Sequence, residues 1–373
     1  MPFETVLAIE TSCDDTSVAI VTKDGFVRQV VSANQDLQHA RFGGIVPEIA
    51  SRNHTHNLLP LVDLCLNRAG MKLDDVDGIA VTSRPGLIGS LLVGVVTAKS
   101  LALAAEKPFI GVNHLEGHLL APFLKDESYS PPEGFTYPYV ALAISGGHTS
   151  LYLIEGLDQY RVLGRTVDDA AGEAFDKFGK MLGLGFPGGV RVDRHARFGK
   201  PDRYIFPRPM LAEEHLNFSF SGMKTAAKRI LDGLSPEERE NLAKDLEAGE
   251  PRPGVLADLA AGFQEAAVAV LIDRLARAAR EHGVRRAVLT GGVSANSRLR
   301  ERGFAWASQE GVELVVPPIR YCTDNAAMIG YAGILRLNRG ERADQTLAPE
   351  ARAPLGKAPL PKNLPEWLAR AKS

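Results

Sequence analysis

The chain has 373 residues, 45% apolar and 24% charged, with 36 glycines and a formal net charge of −2. That length points to two domains, and the composition to a globular protein with many tight turns. The near-neutral balance excludes a chain that binds nucleic acid through overall charge, though local clusters remain open. Three scattered cysteines, Cys13, Cys65 and Cys322, exclude a cysteine-based zinc module and suit a reducing cytoplasm.

In chain order, residues 1–4 carry no basic segment, so no signal peptide, no membrane attachment and a cytoplasmic location are expected. Residues 5–22 read as a strand, a polar turn at 12–16 and an antiparallel return strand. Residues 54–67 form a helical pattern with Gly70 as its C-cap. Its Leu58, Leu61, Val62 and Leu66, with Ile45 and Ile49 upstream, offer either a docking face or part of the core. Residues 78–82 are a short strand, 84–86 a turn, and 87–105 a buried helix whose Ser90, Lys99 and Ser100 argue against a membrane span. Strand 109–112 leads into a helix at 113–118. Residues 125–138 are rich in Pro, Gly and Ser and read as a connection.

Residues 139–155 repeat the plan of 5–22. This predicts two related α/β domains, 1–125 and 139–339, joined by 126–138 and facing each other across a cleft. In the second, residues 258–282 form an amphipathic helix, 286–290 a strand, 296–310 a helix, 313–317 a strand and 324–337 a late helix expected to pack back on the first domain. Residues 232–254 read as a peripheral insertion that opens on a Ser235–Glu238 capping box. The proline-rich tail, 340–373, reads as a strap or a partly disordered segment.

Two groups of residues carry chemistry. His114 and His118 lie four apart, hence on one helix face, where two neutral imidazoles can share a transition metal if a third ligand arrives from elsewhere. The alternative is two unrelated surface or capping histidines. A zinc protease places its glutamate directly after the first histidine. Glu116 instead falls about 160–200° from both, on the opposite face. Glycine-rich turns at 145–149, 185–189 and 291–296 stand at strand ends or helix starts, where bare N–H groups can cradle phosphate; each alone is ordinary turn chemistry. With the turn at 12–16 they point to a nucleotide held between two domains. Asp168, Asp169, Glu173, Asp176 and Lys177 crowd one helix; Asp169, Glu173, Asp176 and Lys177 are expected on one side, facing ribose hydroxyls, unless the group is a solvated face.

Taken together, the segments ETSCDDT (10–16), HARFGGIVPEIASRNH (39–54), NHLEGH (113–118), SGGHT (145–149), DAAGEAFDK (169–177), FSFSGMKT (218–225), GGVSANSRLR (291–300) and TDNA (323–326) closely resemble the TsaD family. These are the tRNA N6-adenosine threonylcarbamoyltransferases, formerly described as glycoprotein endopeptidases. The resemblance runs from about Val6 to Arg336. It implies the actin, Hsp70 and sugar-kinase fold, two duplicated α/β domains around a nucleotide cleft. It implies one divalent transition metal on His114, His118 and Asp324, usually iron in the family, although two His and one Asp equally admit zinc. It places the ligand at Ala143, Ile144, Ser145, Gly146, Gly147, Asp176, Gly189, Asp193 and Asn296. Asp14 is a candidate for orienting the reacting centre or is a plain turn aspartate.

The implied donor is L-threonylcarbamoyl-adenylate, made by a separate synthase, and the acceptor is adenosine 37 of tRNA, 3′ of the anticodon. The implied partners are the paralogous subunit TsaB and the ATPase TsaE. An ATP-dependent small-molecule kinase of the same fold is the alternative, with a metalloprotease disfavoured. The chain departs from the family at 190–195, where two arginines intervene. Residues 191–208 hold six Lys/Arg against two Asp, either an RNA-facing patch or a solvated surface.

Overall fold

The computed structural model describes residues 2–356. Two apolar runs, β1 (Thr5–Glu10) and β6 (Tyr139–Ile144), are buried at every position. Strands covered on both faces read as continuous apolar segments, and each of these is the centre of a five-stranded sheet. In the first sheet β1 pairs antiparallel with β2 (Thr16–Thr22), which pairs with β3 (Val27–Ala33); on its other side come the parallel strands β4 (Gly78–Arg84) and β5 (Phe109–Asn113). The second sheet repeats this order. β6 is followed antiparallel by β7 (Thr149–Gly156) and β8 (Gln159–Arg165), and flanked by parallel β9 (Arg286–Thr290) and β10 (Glu313–Val315). Each hairpin read from the sequence is therefore a three-stranded meander. The third strands, β3 and β8, were not expected because their apolar positions are interrupted by exposed polar residues.

Two helices cover one face of the first sheet. α2 (Pro47–Ala69) starts at a proline and stops at Gly70, whose φ of 64° is the left-handed cap. It begins seven residues before the expected helix. α3 (Ile88–Ala104) lies beside it. Leu58 and Val62 are core residues beneath them, which answers one half of the docking-face expectation. The other face is covered by α12 (Ala326–Asn338), which leaves the second sheet and returns to the first. Close packing there depends on glycine. A Cβ at Gly333 would stand 2.4 Å from the Ala80 Cβ, so only hydrogen lets α12 approach β4.

In the second half, α9 (Val255–Glu281) is long and apolar enough to cross a membrane, but it lies inside the core against α6 (Gly188–Ala196) and α10 (Ser297–Glu310). Its sequence reads as amphipathic, yet the helix is buried nearly all round because helices and the sheet surround it. α8 (Pro236–Ala248) opens on the expected capping box: the Glu238 N–H donates to Ser235 Oγ at 3.2 Å and the Ser235 N–H to Glu238 Oε2 at 2.9 Å. It also contributes buried Asp245, which accepts from the Leu256 N–H at the start of α9. The insertion thus caps a core helix.

Two features join the halves. α4 (His114–Leu120) follows β5 and reaches the second sheet: Tyr139 donates to the Leu119 carbonyl at 2.6 Å. On the same helix buried Glu116 accepts two bonds from Arg336 of α12, at 2.7 and 2.9 Å, and one from Tyr160 of β8 at 2.8 Å. Arg336 also pairs with Asp158 in the β7–β8 turn. The described part of the tail is a strap. Ala343 donates to the Phe109 carbonyl, Glu350 to the Ser83 carbonyl, and Leu355 packs on the second sheet's aromatic cluster. The remainder of the tail, residues 357–373, lies outside the described residues.

Gly333→Ala should therefore overpack the α12–β4 contact. The expected loss is about 1–3 kcal/mol, read as a lower urea midpoint with an unchanged slope. An unaltered midpoint would mean that α12 has room to shift.

Candidate active site

Strand ends build the site. β1 ends at Glu10, which is fully buried and fixed by the Thr82 hydroxyl of β4 at 2.6 Å and the Ser12 N–H. β5 ends at Asn113, whose side chain caps α4 by accepting from the Leu115 N–H at 2.9 Å. The cap places His114 at the first helical position. Its Nδ1 meets Glu10 Oε2 at 3.0 Å and Ser12 Oγ at 3.1 Å. A carboxylate on Nδ1 fixes the tautomer and leaves Nε2 with a free lone pair. That Nε2 points at Asp324 Oδ1, 3.4 Å away, and His118 Nε2 reaches the same oxygen at 3.1 Å. Asp324 arrives from just before α12, whose start is set by Asn325 accepting from the Met328 N–H.

One donor atom from each of His114, His118 and Asp324 lies within 4.8 Å of the others. The set fits a divalent metal: two imidazole nitrogens, one hard oxygen, a carboxylate behind the first imidazole, and no fourth protein ligand among the described residues. The electrostatics favour a positive charge at this point, a proton on His114 or a cation that displaces it. Burial alone would lower the His114 pKa, but Asp324 and Glu10 outweigh it and hold the ring well above its ordinary value. Burial would likewise raise Asp324, and His114 draws it well below. A buried site this rich in carboxylate charge attracts a cation.

The second half approaches the group at His148, which feels the charges of His114, His118 and Asp324. β6 and β9 are adjacent and parallel, and both end in glycine turns, at 145–147 and 291–292. Ligands of open α/β sheets collect at such carboxyl ends. The two turns are packed together: a Cβ at Gly291 (φ 84°) would stand 2.4 Å from the Ile144 carbonyl oxygen. Gly146, Gly147 and Gly292, by contrast, would carry a Cβ into open space. α5 (Ala171–Met181) starts directly behind the first turn, its Ala171 N–H held by the Thr149 hydroxyl at 2.8 Å. Ala143 and Ile144 are buried strand residues that position this turn.

The remaining expected ligand residues sit on the same wall with their side chains partly occupied. Asp176 of α5 accepts from the Gly189 N–H at 2.9 Å through one oxygen, and burial raises its pKa. Asp193 accepts from the N–H and hydroxyl of Ser297 and from Arg197. Asn296 caps α10 through Leu299 N–H and donates to Gln264 at 2.8 Å. These bonds fix the turn that carries Asn296, so Asp193 and Asn296 shape the wall as well as face it.

The carboxylates of 168–177 converge only in part. Asp168 accepts from Ser219, Phe220 and Ser221; Asp169 and Glu173 are both bridged by Lys177. The helix starts only at Ala171, yet Asp169, Glu173 and Lys177 meet on one side as expected; Asp176 instead turns to the Gly189 N–H. Asp14 lies in the β1–β2 turn, and burial with nearby Asp324 raises its pKa; Asp15 is pushed up to about 7 by the same causes. Sequence reasoning gave no role to Glu10, Ser12 or His148. Glu10 had a signal: a charged residue closing an otherwise apolar strand. His148 is pushed down to about 4 by burial, with the charge of His114 acting in the same direction. The three thiols are all held above their ordinary range by burial.

The comparisons with known proteins bear on this cleft. The family model for TsaD, tRNA N6-adenosine threonylcarbamoyltransferase, matches residues 27–331. A protein of that name from Bdellovibrio bacteriovorus is 60% identical over 350 residues, covering 94% of this chain and 98% of its own. One from Anaeromyxobacter dehalogenans is 51% identical, covering 92% and 97%. The chain belongs to the TsaD family. It is a transferase of the class that tRNA modification employs. Among solved structures, HypF of T. kodakarensis superposes with a TM-score of 0.58 at 12% identity, over 91% of this chain and 48% of that one. That likeness concerns the fold, which is the duplicated α/β type of sugar kinases, Hsp70 and actin. As a TsaD protein the chain needs no protease glutamate, and Glu116, held by Arg336 and Tyr160, faces away from the metal ligands.

Glu10→Gln should weaken metal binding by about ten- to a hundredfold, and His114→Ala or Asp324→Ala should abolish stoichiometric binding. Metal content after dialysis against graded chelator reads this directly. Full retention in the two ligand variants would place the metal elsewhere.

Proposed function

We propose that this chain transfers the threonylcarbamoyl group from L-threonylcarbamoyl-adenylate to N6 of adenosine 37 in tRNAs that read codons beginning with A, releasing AMP. The observation that supports the reading is a His–His–Asp group whose charges reach His148, the residue that follows the first of two packed glycine turns. Such turns suit the phosphate of an adenylate. Residues 1–125 and 139–339 are taken as the two lobes, a division supported by one five-stranded sheet in each stretch. The centre is proposed to hold one divalent ion, iron in this reading with zinc as the competitor, on His114, His118 and Asp324. Bound there, it would supply Lewis-acid polarisation of ligand oxygens.

The protein's own residues do the rest. Gly146, Gly147 and Gly292 leave room for the adenylate, Ala143, Ile144 and Ser145 fix the first turn, and Asp176 offers its second oxygen to a ribose hydroxyl. Gly189, Asp193 and Asn296 hold the adjoining wall. Asp14, at the mouth of the first lobe's turn, orients the acceptor amine. The amine nitrogen bonds to the carbamoyl carbon, the bond from that carbon to the phosphate oxygen breaks, AMP carries away the electron pair, and the amine loses a proton. Because the anhydride is already activated, positioning outweighs covalent catalysis. A separate synthase makes the donor, and the reaction belongs in the cytoplasm. Mass spectrometry of nucleosides from tRNA incubated with the protein, donor and partners should show threonylcarbamoyladenosine. Phosphorylation of a small metabolite instead would favour the kinase reading, and cleavage of a protein the protease reading.

Partners are part of this reading. α3 presents Ile88, Leu92, Val96 and Leu103, all at least half exposed, along one stripe, with Leu59 of α2 beside it. This replaces the face read from Leu58, Leu61, Val62 and Leu66, of which Leu61 and Leu66 are half-buried against the core. The stripe suits the paralogous subunit TsaB, with TsaE joining the assembly. Leu92→Glu with Val96→Glu should leave the isolated chain folded and abolish co-elution with TsaB. Persistent co-elution would move the interface elsewhere.

A further inference from the structure

The segment between β3 and α2 was not read as an element from the sequence, and the reading above gives it no task. It contains α1 (Asp36–Ala40) and a tight turn at 41–44. Its base is fastened beside the site. Asn34 donates to Asp15 Oδ1 at 2.9 Å and accepts from the Asp36 N–H at 2.7 Å. Buried His39 accepts at Nδ1 from the Val46 N–H at 3.3 Å, closing the loop on itself. Its far side reaches the second lobe: a Cβ at Gly43 would stand 3.2 Å from Lys180 Nζ. Lys180 is one turn along α5 from Asp176. The segment therefore bridges the cleft mouth from the turn of Asp14 to the helix of Asp176.

At its tip Phe42 is 50% exposed, and the Arg41 guanidinium lies 4.7 Å over its ring. An exposed aromatic at a cleft mouth serves no core. A stacked guanidinium and phenyl ring make a flat, cationic surface, which suits an unpaired nucleobase and its phosphate. Arg41, Arg52 and Lys180 have no carboxylate within ion-pair distance among the described residues, whereas Arg197 and Arg203 nearby in sequence to the cleft wall are paired. The acidic residues of the segment, Asp36 and Glu48, stand at its two ends.

We propose that the Arg41–Phe42 tip is a stacking platform for an unpaired base of the RNA substrate, holding the loop that presents the reacting adenosine. The proposal rests on the transferase reading above and names the residues that receive the RNA. A base in a duplex has no free face, so the platform selects single-stranded loops. A neighbour of the target base stacks on Phe42 while Arg41, Arg52 and Lys180 meet backbone phosphates.

The test is fluorescence anisotropy of the chain assembled with its paralogous subunit, using an anticodon stem-loop RNA and, as control, a fully paired duplex of equal length. Phe42→Ala should weaken stem-loop binding by about ten- to a hundredfold. Phe42→Tyr should bind as wild type, and Phe42→Leu should resemble the alanine variant because an aliphatic chain cannot stack. Arg41→Gln should lower the salt slope by about one. Duplex binding, metal content and adenylate affinity should stay unchanged in all four. Equal stem-loop affinity in wild type and Phe42→Ala overturns the platform and leaves the transferase reading intact. A loss confined to adenylate affinity makes the segment a cover for the donor, and a loss of the partner subunit makes it a protein interface; either overturns the proposal. Failure of the wild-type assembly to bind or modify any tRNA refutes the transferase reading itself.

Discussion

A single buried carboxylate organises the first lobe's contribution to chemistry. Glu10 closes the central strand of its sheet with no exposure to water. Burying a charge is costly unless it is hydrogen-bonded and paired. Here Thr82, the Ser12 N–H and His114 satisfy it, and His114 keeps its pKa low against the opposing pull of burial. The same bonds fix which nitrogen of His114 faces the cleft. The His–His–Asp group thus rests on register between β1, β4 and β5: a slip of one residue would put Glu10 and Thr82 on opposite faces.

The second lobe answers with absence of side chains. Its two glycine turns end neighbouring parallel strands and touch each other backbone to backbone, as Gly291 shows. A Cβ on Gly172 would stand 2.5 Å from the Ser145 carbonyl oxygen, so α5 can lie directly behind the Ser-Gly-Gly turn only because that atom is missing. Bond partners that fix these turns also consume polar groups. Asp193 and Asn296 secure the start of α10. The wall is preorganised, which is what a reaction driven by positioning requires.

The lobes are held in relation by polar groups at their seam. Glu116 is on the helix that carries His114 and His118, Arg336 on the returning α12, Tyr160 on β8 and Asp158 in the β7–β8 turn. Removing one partner of such a buried pair costs about 3–5 kcal/mol, because the other charge is stranded. The strap of residues 341–356 adds backbone bonds along β4 and β5. Together these fix the spacing between the His–His–Asp centre and the glycine turns.

By itself the sequence determined the elements whose signals are local. The duplicated strand–turn–strand runs, the Gly70 cap, the Ser235–Glu238 box and the four-residue spacing of His114 and His118 all read correctly, since each depends on neighbours a few positions apart. The motifs determined the family. What only the tertiary structure decided depends on contacts between distant segments: Glu10 behind His114, Arg336 and Tyr160 holding Glu116, and the third strand that turns each hairpin into a meander. It also decided which leucines are core. Leu58 and Leu59 are adjacent and chemically identical, but the helix turns about 100° between them, burying one beneath α2 and leaving the other in water.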